Sequence, residues 1–247
     1  MVPDRRLAPP VRLVIPWIDA KTGFPPVEAA LREPNGLLAA GGDLRPERLL
    51  DAYRRGIYPW FSEGQPALWW SPDPRMVLYV DAFRASRSLR RRIARREFDV
   101  RIDTAFRDVI EACARAPRKG QEGTWITQDM IRAYVHMHEL GYAHSVEAWR
   151  DGELVGGLYG LALARVFFGE SMFARATDAS KVCLEFLVDV LRERGTVLID
   201  CQQETEHLAS LGARPIARRE FVRLLEDLVP AGAPPEAFVR GGVEEPA

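Results

Sequence analysis

Four places along the chain combine reactive or stacking side chains with glycine or proline. The first is the run from Glu33 to Leu44 (EPNGLLAAGGDL). The second is Tyr53 to Phe61 (YRRGIYPWF), followed closely by Leu68 to Arg75 (LWWSPDPR). The third is Gly123 to Thr127 (GTWIT). The fourth is Phe167 to Phe173 (FFGESMF), which pairs with Leu198 to Gln202 (LIDCQ) at the next strand end. Loops lie on surfaces, so aromatics beside prolines are poor core elements and mark a ligand or partner site. An aromatic face can stack on a nucleobase, at about 1–3 kcal/mol per base, or wall an apolar pocket. The competing reading is an aromatic minicore joining two parts of the chain. Trp70, in a strand-like run, fits that reading, whereas Trp60 and Trp125 fit a site. Glu170, Asp200 and Gln202 add two carboxylates and an amide that could bind a cation or move a proton.

Charge is balanced overall, at −1 for 247 residues, but its distribution is uneven. Only Lys21, Lys119 and Lys181 are lysines among the 34 basic residues. Arginines crowd at 84, 87, 90, 91, 92, 95 and 96. Guanidinium groups pair bidentately with phosphate, so this cluster suits a phosphate-backbone binder. The alternative is a solvated helix face in an arginine-rich composition. On a helix, Arg84, Arg87, Arg91 and Arg95 share a face at three- or four-residue spacing. Cys113, Cys183 and Cys201 are odd in number and set among apolar residues, which implies neither a disulfide framework nor a zinc site. His136, His138, His144 and His207 lack metal-ligand spacing, so no metal is expected. The N-terminal residues have no signal-peptide pattern, and the apolar run Leu154 to Ala164 is too short to span a bilayer. A cytoplasmic location with no membrane partner is the simplest expectation.

The elements that must hold these residues follow from caps, breakers and periodicity. Residues 1–23 read as a flexible arm, 24–64 as a small N-terminal domain, 65–228 as a larger domain and 229–247 as a disordered tail. In the small domain a helix runs from about Pro46 to Arg55, with proline in its first turn and Gly56 as its stop. Leu68 to Val80 reads as one extended run. Ser86 caps a helix to Arg96, Phe98 to Ile102 alternates as a strand, Asp103 caps a helix to about Arg115, and Thr127 caps one to about Leu140. Asp151-Gly152 marks a hairpin between His144–Trp149 and Glu153–Leu161. A third strand, Arg165 to Phe168, precedes a long helix from Asp178 to Arg194. The strand Thr196 to Cys201 and a helix Arg218 to Leu228 complete the pattern. This is an α+β class with a mixed, mainly antiparallel sheet flanked by helices, in the order seen in acyltransferases of the acetyltransferase (GNAT) type. Such folds usually open the central helix with a glycine-rich pyrophosphate loop. Here Phe173 to Lys181 contains no glycine, which argues against coenzyme A.

Taken in order, EPNGLLAAGGDL, RRGIYPWF, LWWSPDPR, GTWIT, AHSVEAW, LVGGLYG, FFGESMF and LIDCQ resemble the leucyl/phenylalanyl-tRNA–protein transferase family from about Phe24 to Leu225. The resemblance implies transfer of leucine or phenylalanine, methionine less well, from aminoacyl-tRNA to the α-amino group of proteins beginning with arginine or lysine. That transfer marks the acceptor protein for degradation and needs no cofactor, because the donor is already an activated ester. By the same resemblance Tyr53, Trp60 and Trp125 would line the site for the terminal adenosine and ester, and Phe167 and Met172 would shape the side-chain pocket. Glu170, Ser180, Asp200 and Gln202 would carry the acceptor and the chemistry. In this reading Asp200, oriented by Gln202, receives the amine, and Glu170 favours a cationic acceptor. Arg84, Arg87, Arg91 and Arg95 would grip the acceptor stem of the tRNA. Ala164, Ala174 and Tyr58 depart from the usual pattern beside the pocket. Rival readings are a coenzyme-A-dependent N-acetyltransferase, a non-catalytic module binding tRNA or protein N-termini, and a cell-wall-type aminoacyl-tRNA transferase.

Overall fold

The computed structural model describes residues 15–117, 124–235 and 238. In chain order the strands and helices are β1 (Trp17–Ile18), β2 (Leu37–Gly41), α1 (Pro46–Arg54), β3 (Tyr58–Pro59), β4 (Leu68–Trp70), β5 (Arg75–Tyr79), α2 (Arg87–Ala94), β6 (Asp99–Ile102), α3 (Phe106–Arg115) and α4 (Gln128–Glu139). They continue with β7 (Ala143–Arg150), β8 (Glu153–Leu163), β9 (Val166–Ala174), α5 (Ala179–Glu193), β10 (Leu198–Gln202), α6 (Glu206–Ser210), β11 (Arg214–Ile216) and α7 (Arg218–Leu228). The class is α+β, as expected. Thr127 accepts from the Met130 N–H to start α4, and Ser86 does the same for α2 through the Leu89 N–H. The β7–β8 hairpin turns at Asp151-Gly152, both at positive φ, as that dipeptide favours.

Seven strands form the main sheet in the order β11-β5-β10-β9-β8-β7-β6, and four short strands form a second sheet in the order β1-β2-β4-β3. Residues 68–80 were expected to be one extended run. They form two strands in two sheets, because the prolines of Ser71-Pro72-Asp73-Pro74 supply no backbone N–H for a continuous ladder. The strand expected at Arg165–Phe168 extends to Ala174, its polar centre carried on hydrogen bonds to β8. One apolar core lies between the main sheet and α1, α3, α4, α7 and the small sheet, centred on residues such as Tyr53, Trp69, Phe168 and Phe221. The other lies under α5, with Leu158, Phe167, Leu187 and Ile199. Most of the tail read as disordered lies outside the described residues. Phe238, however, is buried at 3% exposure in the second core. No helix among the described residues is long and apolar enough to cross a membrane.

The feature that creates a site is the parting of β9 and β10. They pair in parallel only from Val166 to Phe168 against Leu198 to Asp200. Beyond that point β9 continues on β8 alone, while β10 stays with β5 on its other side. A crevice opens at the carboxyl ends of the two strands, where ligands gather in open sheets. Gly160 fixes the other wall of this region. A Cβ there would sit 2.2 Å from the Phe168 carbonyl oxygen and 2.6 Å from the Phe167 ring. Gly160→Ala is expected to destabilise the protein by about 1–3 kcal/mol through overpacking, read as a lower denaturation midpoint with an unchanged slope.

Candidate active site

Two cavities meet where the strands part. The larger, about 330 Å³, is apolar, with Leu158, Phe167, Met172, Leu184 and Leu187 on its walls and Glu170, Asp200 and Gln202 at one end. The smaller, about 180 Å³, is lined by Tyr58, Pro59, Trp60, Trp125, Gln203 and Thr205. Glu170, Cys201, Gln202, Thr205 and Leu208 border both. A half-open site with two half-buried tryptophans suits an aromatic ring system. The apolar one suits a hydrocarbon or benzyl side chain of about its size.

Glu170 sits at the junction on β9. Its Oε1 accepts a hydrogen bond from the Tyr53 hydroxyl at 2.6 Å, and its Oε2 accepts one from Tyr134 at 3.2 Å. The two phenols also contact each other. Burial pushes the Glu170 carboxyl up to about 7, against the pull of the two tyrosine hydrogen bonds. Burial and the nearby Glu170 charge hold both phenols well above their ordinary range, so they remain donors. Tyr53 is fully buried on α1, its ring 5.0 Å from Phe168. It therefore backs Glu170 and does not line the ring-stacking cavity, contrary to expectation.

Asp200 is occupied. Arg75 on β5 reaches it with two parallel hydrogen bonds, Nε to Oδ1 at 2.8 Å and Nη2 to Oδ2 at 2.7 Å, and the Gln202 N–H donates to Oδ1 at 3.0 Å. The side chains are 1% and 0% exposed. Arg75 also donates to the Gly56 carbonyl and lies within 5 Å of the Tyr58 and Phe221 ring centres. With both oxygens engaged and no exposed surface, Asp200 cannot receive an attacking amine as the sequence suggested. It anchors Gln202, whose φ of 55° is left-handed and stops the strand. The buried Nε2 of Gln202 has no protein partner, so this donor is available to a bound acceptor atom.

Of the remaining expected residues, Trp60 and Trp125 line the smaller cavity, and Phe167 and Met172 line the larger. Ser180, in the first turn of α5, lines neither. Arg84, Arg87, Arg91 and Arg95 are all exposed. Only Arg87 and Arg91 lie within α2, because Arg84 precedes its cap and Arg95 follows its last turn, 3.8 Å from Glu97. Arg75 and Tyr134 are the participants that residue types alone did not single out. Arg75 ends the LWWSPDPR block, and its signal was an arginine opening an apolar strand. Tyr134 follows Met130 by one helical turn and reads as core. Among the described residues one grouping has metal-ligand types, namely Asp103, His138 and His144. Its nitrogens face the Asp103 carboxylate and the backbone carbonyls of Gly141 and Ala143.

Breaking one side of the Arg75–Asp200 pair strands a buried charge. Arg75→Met and Asp200→Leu are each expected to cost about 3–5 kcal/mol, and the double variant to recover most of that. A denaturation cycle over the three variants checks it. Simple additivity would show that the two residues act independently.

A family model described as leucyl/phenylalanyl-tRNA protein transferase matches residues 77–226, and the model of that family's N-terminal domain matches 42–73. The chain is 61% identical over 222 residues to the leucyl/phenylalanyl-tRNA–protein transferase of Azoarcus sp. (strain BH72), covering 90% of this chain and 94% of that one. It is 63% identical over 202 residues to the protein of the same name from Stutzerimonas stutzeri (strain A1501), covering 82% and 89%. Among solved structures, a ribosomal-protein-alanine N-acetyltransferase from Brucella melitensis biovar Abortus 2308 aligns at a TM-score of 0.30 and 20% identity, over 39% of this chain and 73% of that one. The sequence matches and the ordered motifs together establish that this chain belongs to the leucyl/phenylalanyl-tRNA–protein transferase family.

Proposed function

We propose that this chain transfers leucine or phenylalanine, and methionine less well, from aminoacyl-tRNA to the α-amino group of proteins beginning with arginine or lysine, creating a degradation signal in the cytoplasm. The observation that carries this reading is Glu170, a half-buried carboxyl at the meeting point of an apolar cavity and an aromatic one. The apolar cavity takes the leucyl or phenylalanyl side chain, and Trp60 and Trp125 take the terminal adenosine. The ester carbonyl then lies at the junction. The α-amino nitrogen attacks that carbon, a C–N bond forms, and the C–O bond to the ribose breaks. The nitrogen must lose a proton and the ribose oxygen must gain one. Glu170, with its pKa raised to about 7, is matched to take the first and return the second. Its negative charge also draws an acceptor that carries a cationic side chain, whereas the charge of Asp200 is already met by Arg75. The free Gln202 amide donates to the developing oxyanion. Positioning supplies much of the remaining advantage, because both reactants are held side by side. No step calls for a cofactor.

The direct test incubates the protein with labelled Phe-tRNA or Leu-tRNA and peptides beginning with Arg, Lys or Ala. Label should enter the Arg and Lys peptides and not the Ala peptide. Acyl-CoA turnover without tRNA would favour the acetyltransferase reading instead.

Transfer should rise with pH through about 7 as Glu170 ionises. Glu170→Gln should remove that limb, leave the one set by the acceptor amine, and lower kcat/KM by about 100-fold or more. The stability effect has the opposite sense. The folded state holds the Glu170 proton up to about 7, so this contribution is full below the usual carboxylate range and is lost as pH rises through about 7. Glu170→Gln should flatten that decline in denaturation midpoints. The arginine reading predicts that Arg87→Glu with Arg91→Glu raises the Michaelis constant for tRNA. The pair should also reduce the slope of log affinity against log salt by about one for each phosphate no longer neutralised, and an unchanged slope refutes it.

A further inference from the structure

The wall of the apolar cavity is supported from behind by the C-terminal segment. Phe167 faces the cavity from β9, and Gly160 lies so close against its ring that no Cβ would fit between them. Phe238, which does not line the cavity, lies with its ring 5.9 Å from the Phe167 ring, at 33°. Phe238 is itself held by two further groups. It stacks on His144 at 4.4 Å and 18°, and the Arg194 guanidinium at the end of α5 lies 5.1 Å over its ring. His144 is in turn held by Asp103 at 2.7 Å and by the Gly141 carbonyl at 3.2 Å. Pro235 packs close to Gly141, which continues the same seat toward α7. Phe238, in sequence beyond α7, thus places an aromatic ring against a ring that lines the cavity.

We infer that Phe238 is a positioning residue that sets the depth of the side-chain pocket, so the C-terminal segment takes part in choosing between leucine and phenylalanine. A close-packed interior transmits such a contact, because Phe167 can recede only into space that Phe238 vacates. Gly160 packs against another part of the same ring. Removing the Phe238 ring lets Phe167 tilt back and lengthens the cavity, which favours the longer benzyl side chain over the branched one. This inference rests on the reading that the Phe167 cavity takes the aminoacyl side chain.

The test uses the full chain carrying Phe238→Ala, Phe238→Leu or Phe167→Ala, and compares kcat/KM for Phe-tRNA and Leu-tRNA with one arginine peptide. Phe238→Ala should shift the Phe-to-Leu ratio about tenfold toward phenylalanine, the low end of what apolar pockets discriminate for a methylene. Phe238→Leu should shift it less, and affinity for uncharged tRNA should not change. If Phe238→Ala does not fold, the Phe238→Leu ratio decides, and an unchanged ratio there overturns the inference. Equal losses with both donors also overturn it, because a purely structural role lowers both alike. Phe167→Ala separates the role of Phe238 from that of the cavity itself. If it shifts the ratio and the Phe238 variants do not, only the role of Phe238 fails. If it leaves the ratio unchanged, the cavity assignment fails and this inference with it.

Discussion

The buried pair between Arg75 and Asp200 gathers the parts of this molecule that make a site. Its two hydrogen bonds join β5 to β10, and the third arm of the guanidinium reaches the Gly56 carbonyl between α1 and β3. Tyr58 from the small sheet and Phe221 from α7 lie against the same cation. A charge taken out of water is tolerated only where its partners are complete, so this one ion requires that both sheets and the last helix be in register. Once it is satisfied, the Gln202 N–H closes on Asp200 and the chain turns left-handed, leaving the Gln202 amide at the junction of the cavities. A residue that first suggests catalysis is thereby a fixed anchor for its neighbour.

In the proposed reaction the chemistry falls to Glu170, an acid with no ion-pair partner among the described residues. Asp200 is sealed from solvent and Glu170 is half-buried. Asp200 is balanced by a guanidinium, whereas Glu170 is met only by two neutral phenols and is driven up to about 7 by burial. Asp200 is held by its ion pair, and Glu170 is able to exchange a proton near neutrality. The acceptor amine titrates in the same region, at about 7.7–8.0, so proton transfer between them is close to balanced. The proposed reaction asks little beyond this, since the ester is already activated and the two cavities would hold its ends.

Much of the scaffold was legible along the chain. The Thr127 and Ser86 caps, the Asp151-Gly152 turn and the apolar face of α5 are local signals, and the structure places those elements within a few residues of where they pointed. The two-residue strands β1 and β3 carry no periodicity of their own, because their pairing is decided by β2 and β4. Motif order and aromatic type pointed to Trp60, Trp125, Phe167, Met172 and Glu170, all of which line the two cavities. They misplaced Tyr53 and Ser180 and mistook Asp200 for a free base, because neither burial nor a partner 125 positions away leaves a mark on a local pattern. Phe238 was hidden for a similar reason. A single aromatic in a proline- and glycine-rich tail reads as disorder until its seat on His144 and Phe167 is seen.

The proposed function turns on a division of the site into an apolar cavity for the amino-acid side chain and an aromatic one for the nucleoside, with Glu170 at the ester between them. A crystal structure with a non-hydrolysable, amide-linked phenylalanyl-adenosine tests that division most directly. The benzyl group should lie against Phe167 and Met172, the adenine between Trp60 and Trp125, and the amide within hydrogen-bond reach of Gln202 Nε2 and Glu170. A benzyl group seated between the tryptophans, with the Phe167 cavity empty, would contradict it.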